Sequence, residues 1–359
     1  MGGVIASSPR PASGRNAWGV ALFLAITVAG IFYAKWDPYL GKALHVAVAH
    51  TMGASLITGT SAAAPTVGWH AAWQYAWAYG KAIWVALIVG LLIGSGVQAL
   101  LPPAWLLRTF GRWGFGSVAL ASAAAVPSMM CTCCSAPVAV GLAKSRVSVG
   151  AALAYWLANP LLNPATLVFM GFVLGWGWVA FRIVAGLAIV VGASYVGGRW
   201  IKASDLPAEA IAERDRALQA PGGEPRLLLR WWSSLWRLAL GLLPEYAVVL
   251  LVLGAVRAWL FPAMSPLLGH SLWIVPFLAV TGTLFVVPTA GEVPIVQTLM
   301  RFGLGAAGAG ALLTTLPAVS LPSLLMLGRA VPARVLVAVA GCVVVVGVLG
   351  AVAASAWHL

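Results

Sequence analysis

The most distinctive chemistry in this sequence is a cluster of three cysteines and two methionines within six residues, at positions 129–134. Thiol and thioether sulfur atoms are soft ligands that favour soft ions such as Cu(I), and Hg(II) and trivalent arsenic react with thiols in the same way. A lone cysteine in an apolar sequence is usually a small buried hydrophobic residue, and we interpret Cys342 in this way. Clustering instead predicts that Cys131, Cys133 and Cys134 are together the ligands of a soft solute or metal species.

Pro137 follows the cluster and indicates where a helix begins, because its missing N–H is no loss in the first turn of a helix. We therefore predict that Pro137 lies in the first turn, with the cysteines just before it. The partial positive charge at a helix amino terminus would then stabilise a thiolate there.

Two Asn-Pro pairs, Asn159-Pro160 and Asn163-Pro164, lie four residues apart in an otherwise apolar stretch. This spacing places both amides on one helix face, and each proline leaves the carbonyl one turn earlier without its helical N–H. The pattern predicts a kinked helix with Asn159 and Asn163 in a solute-binding site. The alternative is a purely structural kink held by hydrogen bonds between helices.

Two acidic residues, Glu292 and Glu245, lie in apolar surroundings. Acids within a membrane are costly and usually functional, often in proton relays. Glu292 follows a Pro- and Gly-containing break, and we predict that it contributes to solute binding and to coupling. Glu245 is a weaker candidate for coupling, because it could also pair with Arg237 or face interfacial water.

The composition places these residues in a membrane protein. Only 8% of the 359 residues are charged and 62% are hydrophobic, with a mean hydropathy of +0.97, whereas a soluble domain is about 25% charged. The net charge of +13 does not indicate a nucleic-acid partner, because the basic residues separate apolar runs instead of forming a stripe. No nucleotide-binding loop or hydrolase motif is present, so we predict membrane lipid as a partner, no cofactor and no enzymatic activity.

Apolar length predicts an all-α polytopic fold with about seven full spans and two re-entrant hairpins. The predicted spans are residues 17–34, 79–101, 148–174, 180–199, 238–260, 305–327 and 335–356. Two stretches broken by Pro and Gly, 115–143 and 272–300, predict the hairpins. Residues 38–70 mix polar and apolar residues and are interpreted as an extramembrane or interfacial segment.

The second half of the chain resembles the first after a shift of 157 positions, which aligns Pro137 with Pro294 and Asn163 with Ser320. Each half then holds three crossings, an odd number, so the second copy would have the opposite orientation. Inverted repeats with sites at broken helices are typical of secondary transporters. The predicted divisions are residues 1–71 (first span and interfacial segment), 72–199 (first repeat), 200–235 (cytoplasmic linker containing a polar helix, Leu206–Gln219) and 236–359 (second repeat).

The positive-inside rule predicts the orientation. With the amino terminus and residues 200–235 in the cytoplasm, 15 of the 21 basic residues lie inside and 6 outside. The six outside are Lys35, Lys42, Lys81, Arg182, Arg257 and Arg301. Seven crossings then predict an inner-membrane protein with a periplasmic carboxyl terminus.

Over residues 72–355 the chain resembles the ArsP-type predicted permeases, the organoarsenical efflux permease family. The segments that carry the resemblance are CTCCSAPV from Cys131, GAALAYWLANPLLNP from Gly150, and GEVP from Gly291. The resemblance implies that Cys131 and Cys133 handle a soft metalloid. Members of that family commonly have Gly where this chain has Cys134, and this difference leaves the substrate open.

We therefore predict a secondary permease that exports a soft, thiol-reactive solute, such as a trivalent organoarsenical or a related metal species. Two alternatives stay open: a membrane thiol–disulfide oxidoreductase that uses Cys131 and Cys133, and a permease for another small solute, for example one that contains sulfur. Assembly into a homo-oligomer is also left open.

Overall fold

The computed structural model is all-helical and contains no β-strand in the residues that it describes. It describes residues 14–51, 68–101, 103–111, 114–145, 147–199, 227–260 and 274–357. The predicted linker helix Leu206–Gln219 lies outside these residues.

Fifteen α-helices make up the described part of the chain, with a π-helical turn, Phe32–Trp36, between α1 and α2. The first half contains α1 Gly14–Ile31, α2 Asp37–Ala49, α3 Trp69–Ala99, α4 Pro103–Phe110, α5 Phe115–Ala125, α6 Thr132–Lys144, α7 Val149–Leu161, α8 Pro164–Val173 and α9 Trp176–Arg199. The second half contains α10 Leu227–Leu260, α11 Ile274–Leu284, α12 Glu292–Arg301, α13 Ala306–Ala318, α14 Leu321–Gly328 and α15 Ala333–Ala356.

Seven helical segments in the described residues are long and apolar enough to cross a membrane, which confirms the predicted polytopic fold. They are Trp18–Ala49, Trp69–Ala99, Val149–Val173, Trp176–Arg199, Leu228–Ala255, Ala306–Gly328 and Ala333–Ala356. Two of the seven, Val149–Val173 and Ala306–Gly328, are broken helices, each made of two consecutive shorter helices.

The first span extends beyond its predicted end at residue 34, whereas residues 52–67 of the predicted interfacial segment lie outside the described residues. Residues 38–49 continue this span as α2, and the 32 residues of Trp18–Ala49 measure about 48 Å at 1.5 Å per residue, longer than the hydrocarbon core of about 30 Å. The polar residue Lys42 is accommodated within this helix, because its ammonium group lies over the ring of Phe169, 6.0 Å from the ring centroid. Pro38 cannot donate to the Ala34 carbonyl, and the chain widens into the π-helical turn at this point.

Each predicted hairpin is a pair of short helices joined by a non-helical break. The first break follows α5 and one 3-10 turn, Val126–Ser128, and the second joins α11 to α12. A non-glycine residue adopts the left-handed conformation in each break, Met129 with φ 47° and Ala290 with φ 64°, an uncommon state that the surrounding packing must hold in place. We call these breaks the first and second hairpin tips; their re-entrant path through a membrane stays a prediction.

The helix order of the two halves recurs at the predicted offset. Helices α7, α8 and α9 begin at residues 149, 164 and 176, and α13, α14 and α15 begin at 306, 321 and 333. Each difference is 157 residues (306−149, 321−164, 333−176). The opposite orientation of the two halves in the membrane stays a prediction.

Pro137 was predicted to lie in the first turn of a helix, but helix α6 begins at Thr132, five residues before Pro137. Its N-cap is Cys131 and Pro137 lies inside the helix, where the missing N–H leaves the Cys133 carbonyl without its helical donor. The cysteines do lie at a helix amino terminus, as expected, but two of them belong to its first turn.

Glycines of α3 allow α6 to approach closely. A Cβ on Gly90 would overlap the backbone carbonyl of Cys134, and one on Gly94 would overlap that of Pro137. Two small residues four apart are a common basis of helix packing in membranes, because they let backbones meet. The position of the cysteine helix therefore depends on these two glycines.

We expect Gly90→Ala to destabilise the protein by about 1–3 kcal/mol, the usual cost of overpacking a tight contact, and to shift the cysteine helix. The matched control is Gly80→Ala in the same helix, where an added Cβ has no atom within 4 Å. Thermal unfolding in detergent, followed by size-exclusion chromatography of the full-length protein, measures the difference. Equal midpoints for the two variants would contradict this packing.

Candidate functional site

The two hairpin tips line one small cavity. Its walls come from the first tip, from the second tip and from the broken helices between them. The lining residues are Met130, Cys131, Thr132, Pro160, Asn163, Thr166, Val287, Pro288, Thr289, Ala290, Glu292 and Pro317. The space that the centre of a water-sized sphere can occupy is about 10 Å³, room for about one water molecule, so the tips must move apart before a larger solute can bind between them.

The structure pairs two of the three clustered cysteines. The Sγ atoms of Cys131 and Cys134 are 3.1 Å apart and both residues are buried. Cys131 caps α6 and Cys134 is three residues further along, so the first turn of the helix brings both side chains to one side. These two residues, with Thr132 and Cys133 between them, form a Cys-x-x-Cys pair at a helix amino terminus.

Cys133 lies in a separate environment. Its Sγ is 3.5 Å from the Ser320 hydroxyl oxygen, and Ser320 is the predicted counterpart of Asn163 in the second half. Among the described residues, no three His, Cys, Asp or Glu side chains form a group that could hold a metal ion. The structure brings Cys131 and Cys134 together and leaves Cys133 apart; the role of the three thiols as ligands of a soft solute stays a prediction.

Asn159 fastens the first tip to α7 instead of facing the cavity. Its Oδ1 accepts from the backbone N–H of Met130 at 3.2 Å and from the Ser128 hydroxyl, while its Nδ2 donates to the Tyr155 carbonyl at 3.1 Å. Every polar atom of this buried amide is used within the protein. Asn159 is not among the residues that line the cavity, and its contacts give it a positioning role for the tip; its solute-binding role stays a prediction.

Asn163 does line the cavity, as predicted. Its Oδ1 accepts from the N–H groups of Ala165 and Thr166 and so caps α8. Its Nδ2 is buried and has no hydrogen-bond partner, although the whole side chain is 0% exposed. Buried amides are nearly always fully paired, so this donor is free to bind a molecule in the cavity.

Glu292 lines the cavity too, but it is not an isolated acid. Its Oε1 lies 3.1 Å from Nη2 of Arg182, and both side chains are buried. Arg182 also donates to the carbonyls of Leu161 (3.1 Å), Pro160 (2.9 Å) and Leu313 (2.6 Å). One guanidinium thus connects α9, the end of α7, the middle of α13 and the second tip.

The prolines explain why those carbonyls are available. Pro164 and Pro317 lack the N–H groups that would bond to Pro160 and Leu313, four residues earlier in each case. A guanidinium offers five donors in a rigid plane, which suits several carbonyls at once. The two helix breaks and Arg182 therefore form one hydrogen-bonded unit that joins the halves.

Arg182 and Lys35 are the residues that the sequence reasoning misplaced. Both were counted among the six basic residues on the periplasmic side, yet Arg182 is 0% and Lys35 is 5% exposed, so both are buried in the protein. Without these two, four basic residues are left on that side. For Arg182 the available signal was its position inside the predicted span 180–199, because intramembrane charge usually marks a functional or paired group.

The first helix contacts both hairpin tips. Lys35 donates from Nζ to the Thr289 hydroxyl oxygen at 2.8 Å, and the Tyr39 hydroxyl donates to the Thr289 carbonyl at 3.2 Å. Trp36 donates from Nε1 to the Pro127 carbonyl at 2.9 Å. A segment that precedes both repeats therefore completes the site.

Glu245 lies within α10. Its side chain is outside the described part of the structure, so its weaker coupling role stays a prediction.

Comparison with known proteins supports the resemblance. Residues 18–158 and 82–356 match the family described as predicted permease, ArsP type. The chain is 47% identical over 343 residues to UPF0718 protein YraQ of Escherichia coli (strain K12), and the alignment covers 96% of each chain. No solved structure gives a significant match. Matches of this extent, together with the seven apolar helices, show that this chain is a multi-pass membrane protein of the ArsP-type predicted permease family.

Proposed function

We propose that this permease is a secondary transporter that exports a small, soft, thiol-reactive solute, with a trivalent organoarsenical as the leading candidate. The observation that carries the proposal is the Cys131–Cys134 pair, whose sulfur atoms are 3.1 Å apart. Cys131 lines the cavity between the two hairpin tips, and the pair supplies its soft ligands.

The spacing of the pair suits one soft atom bound to both sulfurs. Bonds of about 2.3 Å, typical of metal–thiolate contacts, can bridge sulfur atoms up to about 4.6 Å apart. For methylarsenite, CH₃As(OH)₂, binding replaces both As–O bonds by As–S bonds. The two thiol protons leave with the two hydroxyl groups as two water molecules, and no electron is transferred.

Transport would follow from the position of the site between the two halves. Broken helices at a repeat interface are the usual binding region of secondary transporters, and rocking of one repeat against the other exposes the site to each side in turn. Coupling of this motion to protons through Glu292 stays part of the proposal. A proton that enters there must compete with Arg182 for the carboxylate.

The location and orientation of the protein belong to the same proposal. A cell inner membrane, a cytoplasmic amino terminus and a periplasmic carboxyl terminus agree with the basic residues counted above. Assembly into a homo-oligomer stays open.

A thiol–disulfide oxidoreductase is the second candidate, and the same pair favours it. The Cys-x-x-Cys spacing at a helix amino terminus is the arrangement of many redox-active thiols. In this hypothesis the redox partner of Cys131 is Cys134 instead of Cys133, because the Cys134 sulfur lies 3.1 Å from that of Cys131. Oxidation of the pair would need a quinone or disulfide as electron acceptor. A double serine variant would lose this redox activity.

The test uses cells that lack their own arsenical efflux systems. Expression of the protein should raise the tolerated methylarsenite concentration by about tenfold or more, and inverted membrane vesicles should accumulate the compound. Cys131→Ser with Cys134→Ser should abolish both effects, because hydroxyl oxygen is a hard donor that binds soft arsenic poorly. Cys342→Ala is the matched control, since that thiol lies away from the site.

Full resistance in the double serine variant at equal expression would end the proposal that the pair binds the solute. Resistance without accumulation in vesicles would instead favour the redox alternative.

A further inference from the structure

The cavity offers hydrogen-bond donors as well as sulfur. The Nδ2 of Asn163 has no partner, although the side chain is completely buried. Thr132, Thr166 and Thr289 line the same space, and the Thr289 hydroxyl oxygen accepts from Lys35, which leaves its own proton to donate. A soft, neutral solute bound by two thiols makes no use of these donors.

A buried positive charge lies next to the same space. Lys35 is 5% exposed, and its ammonium group donates to the hydroxyl of Thr289, which lines the cavity. Its ring contact is with Tyr39, 5.5 Å from the centroid, and no acidic side chain in the described part of the chain pairs with it.

Glu292 does not balance this charge, because Arg182 already pairs with that carboxylate. Within the described part of the chain, no carboxylate is therefore left to balance the charge of Lys35. Buried charge of this kind is expensive unless an opposite charge compensates it.

The position of Lys35 depends on a local irregularity of the first span. The residue lies in the π-helical turn Phe32–Trp36, and such turns occur often at functional sites. The neighbouring Trp36 donates to the first tip and Tyr39 to the second. These contacts fix the ammonium group beside the cavity.

From these contacts we infer that the site also takes a small oxyanion that carries a soft atom, in addition to a neutral arsenical. The soft atom contacts Cys131 and Cys134, and the anionic oxygens accept from Asn163 Nδ2 and the Thr289 hydroxyl, with the charge of Lys35 behind Thr289. The inference rests on the cysteine site of the proposed function and extends its substrate class to anions.

Lys35 has an alternative role, which is to balance the charge of a cysteine thiolate, and this role predicts a different effect of removing the lysine. If its charge only balanced a thiolate of the cysteine pair, removal of the charge would weaken every thiol-bound solute alike. If Lys35 recognises the solute, removal weakens binding of anions and leaves neutral soft solutes largely unaffected.

The experiment measures equilibrium binding to the purified full-length protein in detergent by isothermal titration calorimetry. The probes are thiosulfate, a soft-tipped oxyanion; sulfate, an oxyanion without a soft atom; and methylarsenite, which is soft and uncharged at neutral pH. The variants are Lys35→Met, Lys35→Arg and Asn163→Asp. Aspartate still caps the helix but replaces the free donor by a negative charge.

We expect the wild-type protein to bind thiosulfate at least about tenfold more tightly than sulfate. Lys35→Met and Asn163→Asp should each weaken thiosulfate binding by about tenfold or more, since the first removes the positive charge behind Thr289 and the second replaces a hydrogen-bond donor to the anion by a negative charge. Methylarsenite binding should change by less than about threefold, and Lys35→Arg should restore thiosulfate binding. Size-exclusion profiles identify variants that fail to fold, and Asn163→Asp preserves the test if Lys35→Met is one of them.

Absence of thiosulfate binding to the wild-type protein, or an equal loss of both probes in Lys35→Met, would overturn the inference and leave the proposed arsenical site intact. Thiosulfate binding without methylarsenite binding would support the anion site and overturn the arsenical cargo.

Discussion

Arg182→Met is expected to remove most of the correctly folded protein from the membrane. The change leaves the Glu292 carboxylate buried without its cation and deprives the carbonyls of Pro160, Leu161 and Leu313 of a donor. Loss of one partner of a buried ion pair costs about 3–5 kcal/mol, and each unpaired buried carbonyl adds about 1–3 kcal/mol. That sum is comparable with the whole stability of many domains, about 5–15 kcal/mol.

The measurement is the monodisperse fraction of a fluorescent fusion in size-exclusion chromatography. Arg301→Met is the matched control, because Arg301 is exposed at the end of α12, on the same hairpin as Glu292. The double variant Arg182→Met with Glu292→Met should recover part of the loss, since no unpaired charge remains. A single Arg182→Met variant that behaves like the control would contradict the joining role of this guanidinium.

Serine replacements of single cysteines should separate the three thiols. Cys131→Ser and Cys134→Ser should each weaken methylarsenite binding by roughly a hundredfold, because the loss of one of two linked ligands removes the gain from simultaneous binding. Cys133→Ser should stay within about threefold, since its sulfur contacts Ser320 and not the pair. Isothermal titration of the three purified variants measures these affinities. Equal losses of affinity in all three variants would indicate that all three thiols bind the solute, and would contradict binding by the Cys131–Cys134 pair alone.

The spans could be predicted from the sequence because apolar length is a local property of the chain. The helix breaks within residues 115–143 and 272–300 were also accessible, since Pro and Gly mark them, and the alignment of Pro137 with Pro294 gave the offset of 157 residues that the helix bounds reproduce. The end of the first span was predicted wrongly. Lys42 indicated a surface segment, but it is accommodated by the ring of Phe169, which is distant in sequence.

The pairing of the cysteines could not be read from their spacing alone. Pro137 indicated a helix start close to itself, whereas the glycines of α3 hold a helix that begins at Thr132. Only with that start do Cys131 and Cys134 share a side of the first turn. Arg182 was missed for a related reason: its partners come from three distant parts of the chain, and no local pattern describes them.

X-ray absorption at the arsenic edge tests the central claim most directly, because it counts the atoms bonded to arsenic in the purified protein loaded with methylarsenite. Binding by the Cys131–Cys134 pair predicts two sulfur neighbours and one carbon, unchanged in Cys133→Ser and Cys342→Ala and lost in Cys131→Ser with Cys134→Ser. Arsenic that keeps its oxygen neighbours in the wild-type protein, or that shows three sulfur neighbours, would contradict the assignment of this pair as the solute's ligands.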